Sequence, residues 1–286
     1  MKTTRSAVMG CIGLLLGCAP SPQSDRGEGG RFVSIDLCAD QYLLQLADRS
    51  DILAVSPQAG KSYSAEREKA HGLQQIRPSA EELIALKPAL IVRSYGGGPP
   101  LLSRLEAAGL DVVTIPWTTQ LSGTETASVL EGMNALASAL GADGRASRIA
   151  SRGLDRHASA PQSETQAEGR RLLYLTAGGV VAGPGTLVDD VITRAGYRNY
   201  QTRPGWQAVP LERLVLEKPD LIVVPRFGPA DDRPGRWSAA RHPHVQALLD
   251  HVPTYDVDGS LFTCGGEHTF RAIETLASLD QQGERQ

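Results

Sequence analysis

No run of apolar residues in this sequence reaches the roughly 18 that a helix needs to cross a bilayer, so nothing in it reads as a transmembrane span. No long block of one charge sign is present either, and a net charge of −3 over 286 residues gives nucleic-acid binding no electrostatic support. Aromatic residues are scarce, at 5 %, so each Trp or Tyr on a loop carries more weight than usual. No Gly-Lys-Ser/Thr follows a Gly-rich turn, which excludes a P-loop, and "GPGTLV" lacks the third glycine of a dinucleotide fingerprint. Neither a Ser-His-Asp set nor a paired-carboxylate arrangement is visible. Catalysis therefore has no candidate, and the chain reads as a non-enzyme.

What is present begins with an export segment. Lys2 and Arg5 precede a short apolar stretch, Ala7 to Leu16. The segment ends Leu15-Leu16-Gly17-Cys18, which resembles the bacterial lipobox, so residues 1–17 are expected to be removed as a signal peptide and Cys18 to carry the lipid. Residues 18–30, polar and rich in Gly and Ser, read as a flexible tether to the membrane. Of the four cysteines, Cys11 would leave with the signal and Cys18 would be lipidated, leaving Cys38 and Cys264 in an oxidising compartment. A disulfide, a soft-metal site and two separate thiols all remain open for that pair.

The remaining chain has 41 % hydrophobic residues overall, enough for a core, and it alternates β-branched runs with helical spacing. "RFVSIDL" and "DILAVSP" read as strands, and "SAEELIALKP" as a helix capped by Ser79 and stopped by Pro88. "ALIVRS", "PPLLSRLEAAG" and "DVVTIPW" then give strand, helix and strand. From residue 121 to 160 there is only Ala- and Leu-rich helical sequence, one long helix or a pair broken near Gly141 to Gly144. The alternation restarts with "RRLLYLTAG" and "TLVDDVITRAG" and runs on through "LERLVLEKPDLIVVPRFG". That last phrase nearly repeats "EELIALKPALIVRSYG" upstream, which marks the same helix–strand unit in each half. The fold expected is α/β: two Rossmann-like lobes with parallel sheets, residues 31–120 and 170–280, joined by a long backbone helix over 121–160.

Taken in order, the opening "RFVSIDLCADQYLLQLA", the paired "LKPALIV" and "EKPDLIVV", the long central helix and "VAGPGTLVDDVITRAGYRN" resemble the periplasmic substrate-binding lipoproteins of ABC importers for iron-siderophore, haem and cobalamin. The resemblance covers about Phe32 to Leu279. It implies a monomer that captures a metal chelate, holds no cofactor of its own, and delivers its ligand to a permease dimer with ATPase subunits. It also implies a docking acid on each lobe, for which Glu81 or Glu82 and Glu212 are the candidates. A bare-metal receptor of the same superfamily is the near alternative, disfavoured because the early strand ends carry no histidine; an exported α/β enzyme is the more distant one.

Ligands of α/β lobes sit beyond the carboxyl ends of parallel strands, and that position selects the site candidates. They are Asp36 after the first strand, Tyr63 after the second, Arg93 and Tyr95 after the third, and Trp117 after the fourth. In the second half Arg226 and Phe227 follow "DLIVVP", and His268 lies in the loop after the last strand. Trp206 lies where the resembled family often has a cleft residue. Arg93 and Arg226 are read as corresponding positions suited to an anionic chelate, and Tyr95, Trp117 and Trp206 as stacking surfaces. Tyr95 or His268 could ligate a haem iron axially.

Overall fold

The computed structural model describes residues 31–115, 125–159, 169–229 and 232–279. Trp117 and the lipidation candidate Cys18, with the signal and tether segments, lie outside the described residues. The first half runs β1 (Phe32–Ser34), α1 (Leu37–Leu46), β2 (Ile52–Ala54), α2 (Arg67–Ala70), α3 (Ala80–Leu86), β3 (Leu90–Arg93), α4 (Gly98–Ala107) and β4 (Val112–Thr114). Two helices follow, α5 (Glu125–Leu140) and α6 (Asp143–Ser159). The second half runs β5 (Arg171–Tyr174), β6 (Val180–Ala182), α7 (Leu187–Arg194), β7 (Arg198–Asn199), β8 (Trp206–Ala208), α8 (Leu211–Leu216), β9 (Leu221–Arg226), α9 (Pro243–His251), β10 (Thr254–Asp258) and α10 (Glu267–Ala277).

Among the described residues the strands build two parallel four-stranded sheets, ordered β2-β1-β3-β4 and β7-β5-β9-β10. The two orders are the same, with β5, β7, β9 and β10 in the places of β1, β2, β3 and β4. Duplicated architecture therefore underlies the duplicated phrase: α3–β3 and α8–β9 are one unit used twice. Register fixes the correspondence, since Leu90 pairs with Phe32 and Leu221 with Leu172. The second lobe adds an antiparallel pair, β6 with β8, which sequence patterning did not indicate.

The spanning segment takes the broken form, not the single helix. Gly141, at φ +67°, ends α5 in the left-handed conformation that glycine tolerates. The Gly141 amide donates to Ser138 O at 3.2 Å and the Ala142 amide to Ala137 O at 2.7 Å, the two bonds of a Schellman stop. Asp143 then opens α6 with an acid in the first turn, as the helix dipole favours.

One continuous core joins the halves. Residues of β1, α1 and α5 pack with residues of β5, α7, β9 and α10, while the outer face of each sheet has its own cluster under α3 and α4 or under α8 and α9. None of the described helices is long and apolar enough to cross a membrane.

Candidate functional site

Helix α1 is buried along its whole length, so each polar group on it needs a partner inside the protein. Asp36 caps the helix, with Oδ1 accepting from the Ala39 amide at 3.0 Å. Its other oxygen accepts from the Ser94 and Gly96 amides at 2.7 and 2.9 Å, which pins the loop after β3. Gly96 is needed for that approach, because a Cβ there would lie 2.8 Å from Asp36 Oδ2 and 2.9 Å from Ile35 O. The carboxylate of Asp36, a ligand candidate by sequence, thus accepts from three backbone amides of its own lobe.

One turn on, Asp40 accepts from Ser34 Oγ at 2.5 Å, from the Ser56 amide at 2.9 Å and from Ser56 Oγ at 2.5 Å. Burial raises its pKa to about 7 against the pull of these hydrogen bonds, and the nearby Asp36 adds to the rise. Asp36 and Asp40 thus hold the loops after β3 and β2 from one helix. Gln58, on the second of these loops, accepts from the Leu37 amide at 3.3 Å and the Tyr95 hydroxyl at 3.4 Å. Tyr95 is 39 % exposed beside them, and burial of its hydroxyl followed by the Asp36 charge raises its pKa.

The same helix carries the seam between the halves. Cys38 and Cys264 form a disulfide with Cα atoms 5.4 Å apart, and Tyr63 packs on it. Gln41 Nε2 donates to Thr263 Oγ1 at 3.2 Å, and Thr263 Oγ1 lies 3.1 Å from the Tyr63 carbonyl that accepts its proton. Gln45 Nε2 donates to Glu66 Oε1 and to His268 Nδ1, each at 3.1 Å, while Gln45 Oε1 accepts from the Glu267 amide at 3.0 Å. His268 Nε2 then donates to Cys264 O at 2.7 Å. Both ring nitrogens are used, the ring is buried, and burial lowers its pKa. His268, a ligand candidate by sequence, lies in the first turn of α10 and takes part in this seam.

The other candidates divide. Arg93 ends β3 and is 7 % exposed; its Nε is buried and meets no acceptor among the described residues. Arg226 is not its counterpart: β9 runs longer, so Arg93 corresponds to Val224 and Arg226 stands two residues further on. Arg226 is also exposed and paired, with Nη2 at 2.8 Å from Asp256 Oδ1. Phe227 is held by its amide to Asp232 Oδ1 at 2.6 Å, and its ring lies where a Cβ on Gly259 would be, 2.6 Å away. Trp206 is on β8 and 43 % exposed, edge-on to Tyr174 at 6.3 Å, and Tyr174 in turn tilts onto Phe262 at 5.4 Å. On the α9 side of the second sheet a cavity of about 350 Å³ is lined by Thr176, Arg226, Asp232 and Gln246 among others. Glu81 and Glu82 are exposed in the first turn of α3, where Ser79 Oγ accepts from the Glu82 amide at 3.2 Å, and Glu212 is exposed in the first turn of α8. Among the described residues no three His, Cys, Asp or Glu side chains converge as a metal site.

Sequence reading missed Asp40, Gln41, Gln45 and Glu66. The signal was available: three polar residues inside the otherwise apolar "LCADQYLLQLA" can be buried only if each is hydrogen-bonded.

Two α/β lobes of the same strand order, with their strand-end loops joined across a seam, define a two-lobed α/β fold. The chain belongs to the periplasmic binding protein family, whose profile matches residues 33–226. It is 27 % identical over 209 residues to the "Cobalamin-binding protein" of Halobacterium salinarum, a match over 69 % of this chain and 54 % of that one. It thus spans about half the length of the curated relatives it matches. Among solved structures it shares its fold with the periplasmic haem-binding protein HutB of Vibrio cholerae, at a TM-score of 0.68 and 18 % identity, covering 87 % of this chain and 98 % of that one. The apo haem-binding protein RhuT of Roseiflexus sp. RS-1 gives 0.67 and 21 %, covering 88 % and 97 %.

Proposed function

We propose that this chain is the extracytoplasmic capture subunit of an ABC importer for a metal chelate: a ferric siderophore, haem or a cobalamin-like corrinoid. The observation that carries the reading is the repeated strand order, which gives each lobe a parallel sheet, the kind of sheet that takes ligands beyond its carboxyl ends. The chelate class is supported by the names of the cobalamin-binding relative and the haem-binding structures. The metal complex is cargo and no resident cofactor is required.

In this reading Tyr63, Arg93, Tyr95, Trp117, Trp206 and Phe227 supply the cleft, with Arg226 at its edge. Residues 1–17 are removed on export and Cys18 carries the lipid that holds the protein to the membrane as a monomer. The permease dimer, with its ATPase subunits, docks on Glu81 or Glu82 and on Glu212. Beside those acids Ile84 and Val215 are exposed at equivalent positions, each six residues before the leucine that opens β3 or β9, which suits a partner with two copies of one site.

The test is a melting series of the exported protein with haem, cyanocobalamin and ferric siderophores. A bound chelate at a hundred times its Kd should add about 2.7 kcal/mol of stability without turnover. No shift with any of them, or chemical conversion of one, would refute the reading.

A further inference from the structure

Arg93 and Arg226 stand in opposite electrostatic situations. Arg226 is exposed and neutralised by Asp256. Arg93 is buried, its Nε has no acceptor, and no carboxylate among the described residues lies within ion-pair distance of it. Next to it the Ser94 hydroxyl is also buried without a partner, although the Ser94 amide is taken by Asp36. Burying a cation alone is costly, and the cost is usually removed by a paired anion with hydrogen bonds. The acids that hold the neighbouring loops have other work: Asp36 caps α1 and holds the β3 loop, and Asp40 holds Ser56. The anion that completes Arg93 is then one that arrives from outside.

A guanidinium offers a rigid fork of N–H donors that fits a carboxylate at two points. Two residues on, Tyr95 exposes its ring, and its hydroxyl is steadied by Gln58. We infer that Arg93 is the anion-reading position of the receptor, and that the chelate it takes bears a carboxylate rather than being neutral at that end. This rests on the importer reading above and narrows it. Haem with its propionates and carboxylate siderophores fit; a ligand presenting only amides there would leave the Arg93 charge without a counter-ion and its buried Nε unpaired.

The test compares wild type, Arg93→Met and Arg93→Lys of the exported protein in detergent. The probes are haem against haem dimethyl ester, ferric citrate, a neutral ferric trihydroxamate and cyanocobalamin. Wild type should favour the carboxylate-bearing probe by about 10- to 100-fold, Arg93→Met should lose that preference, and Arg93→Lys should keep part of it. The ligand-free Arg93→Met protein should melt higher than wild type, because an unpaired buried charge has been removed. Equal affinity of wild type for acid and ester, or a preference that survives in Arg93→Met, would overturn the inference while leaving the importer reading intact. If none of the chelates binds, the importer reading fails, and free citrate decides the inference. Stabilisation of wild type but not of Arg93→Met upholds an anion site, and an equal response overturns it.

Discussion

Replacing Cys38 and Cys264 together by alanine removes a cross-link between residues 226 positions apart. In the chain-entropy account a closed loop of that length restricts the unfolded chain by about 5 kcal/mol at 25 °C. The bonded cysteines are buried against Leu37 and Tyr63 in a small cluster between the halves, so alanine also removes some packing. Wild-type protein held reduced contains the same side chains and isolates the cross-link itself. Urea unfolding of the oxidised, reduced and double-alanine forms at pH 7 should show losses of about 3–5 kcal/mol for the reduced form and slightly more for the alanine form. The shared core predicts one transition in the oxidised protein. A loss below about 1 kcal/mol on reduction would refute the reasoning, since it would mean that the seam of Gln41, Gln45, Thr263 and His268 fixes the halves without covalent help.

Further outcomes follow from named groups. Asp40 is protonated more readily in the folded protein, so its contribution to stability is full below about pH 4 and is lost as pH rises through about 7; from a shift of 3.8 to about 7 this amounts to roughly 4 kcal/mol. Asp40→Asn should remove that decline, and unfolding curves of the two proteins between pH 4 and 7 should diverge accordingly; parallel curves would contradict the burial. His268 works the other way, since its folded pKa is lowered: its stability is present above its unfolded pKa and is lost as pH falls, which should emerge in the Asp40→Asn background. Gly96→Ala should cost about 1–3 kcal/mol, because the new methyl meets Asp36 Oδ2 and Ile35 O. Arg226→Gln should change stability by under about 1 kcal/mol, since its pair with Asp256 is solvent-exposed; a loss above 2 kcal/mol would show that it is structural.

Much of the architecture was legible because it is written as periodicity and as repetition. Lys87-Pro88 and Lys218-Pro219 mark the two helix-to-strand turns, and the strand order confirms that they open equivalent strands. The break at Gly141 was visible as a choice between two forms, which the Schellman bonds resolve. The correspondence of Arg93 with Arg226 misled, since β3 and β9 differ in length and residue type alone does not reveal register. For Asp36 and His268 the ambiguity is of another kind. A polar residue predicted at a strand end or on a mouth loop can meet a ligand or bind the protein's own backbone, and here the Ser94 and Gly96 amides and the Cys264 carbonyl take them. The β6–β8 pair escaped because its strands are short and sit either side of a helix.

Capture of an intact metal chelate can be read by native mass spectrometry of the exported protein mixed with haem, cobalamin and ferric siderophores at micromolar concentration. One retained chelate per monomer, carrying the isotope pattern of its metal, is the predicted result. A spectrum of bare protein with every chelate, or of protein holding only a naked metal ion, would contradict it.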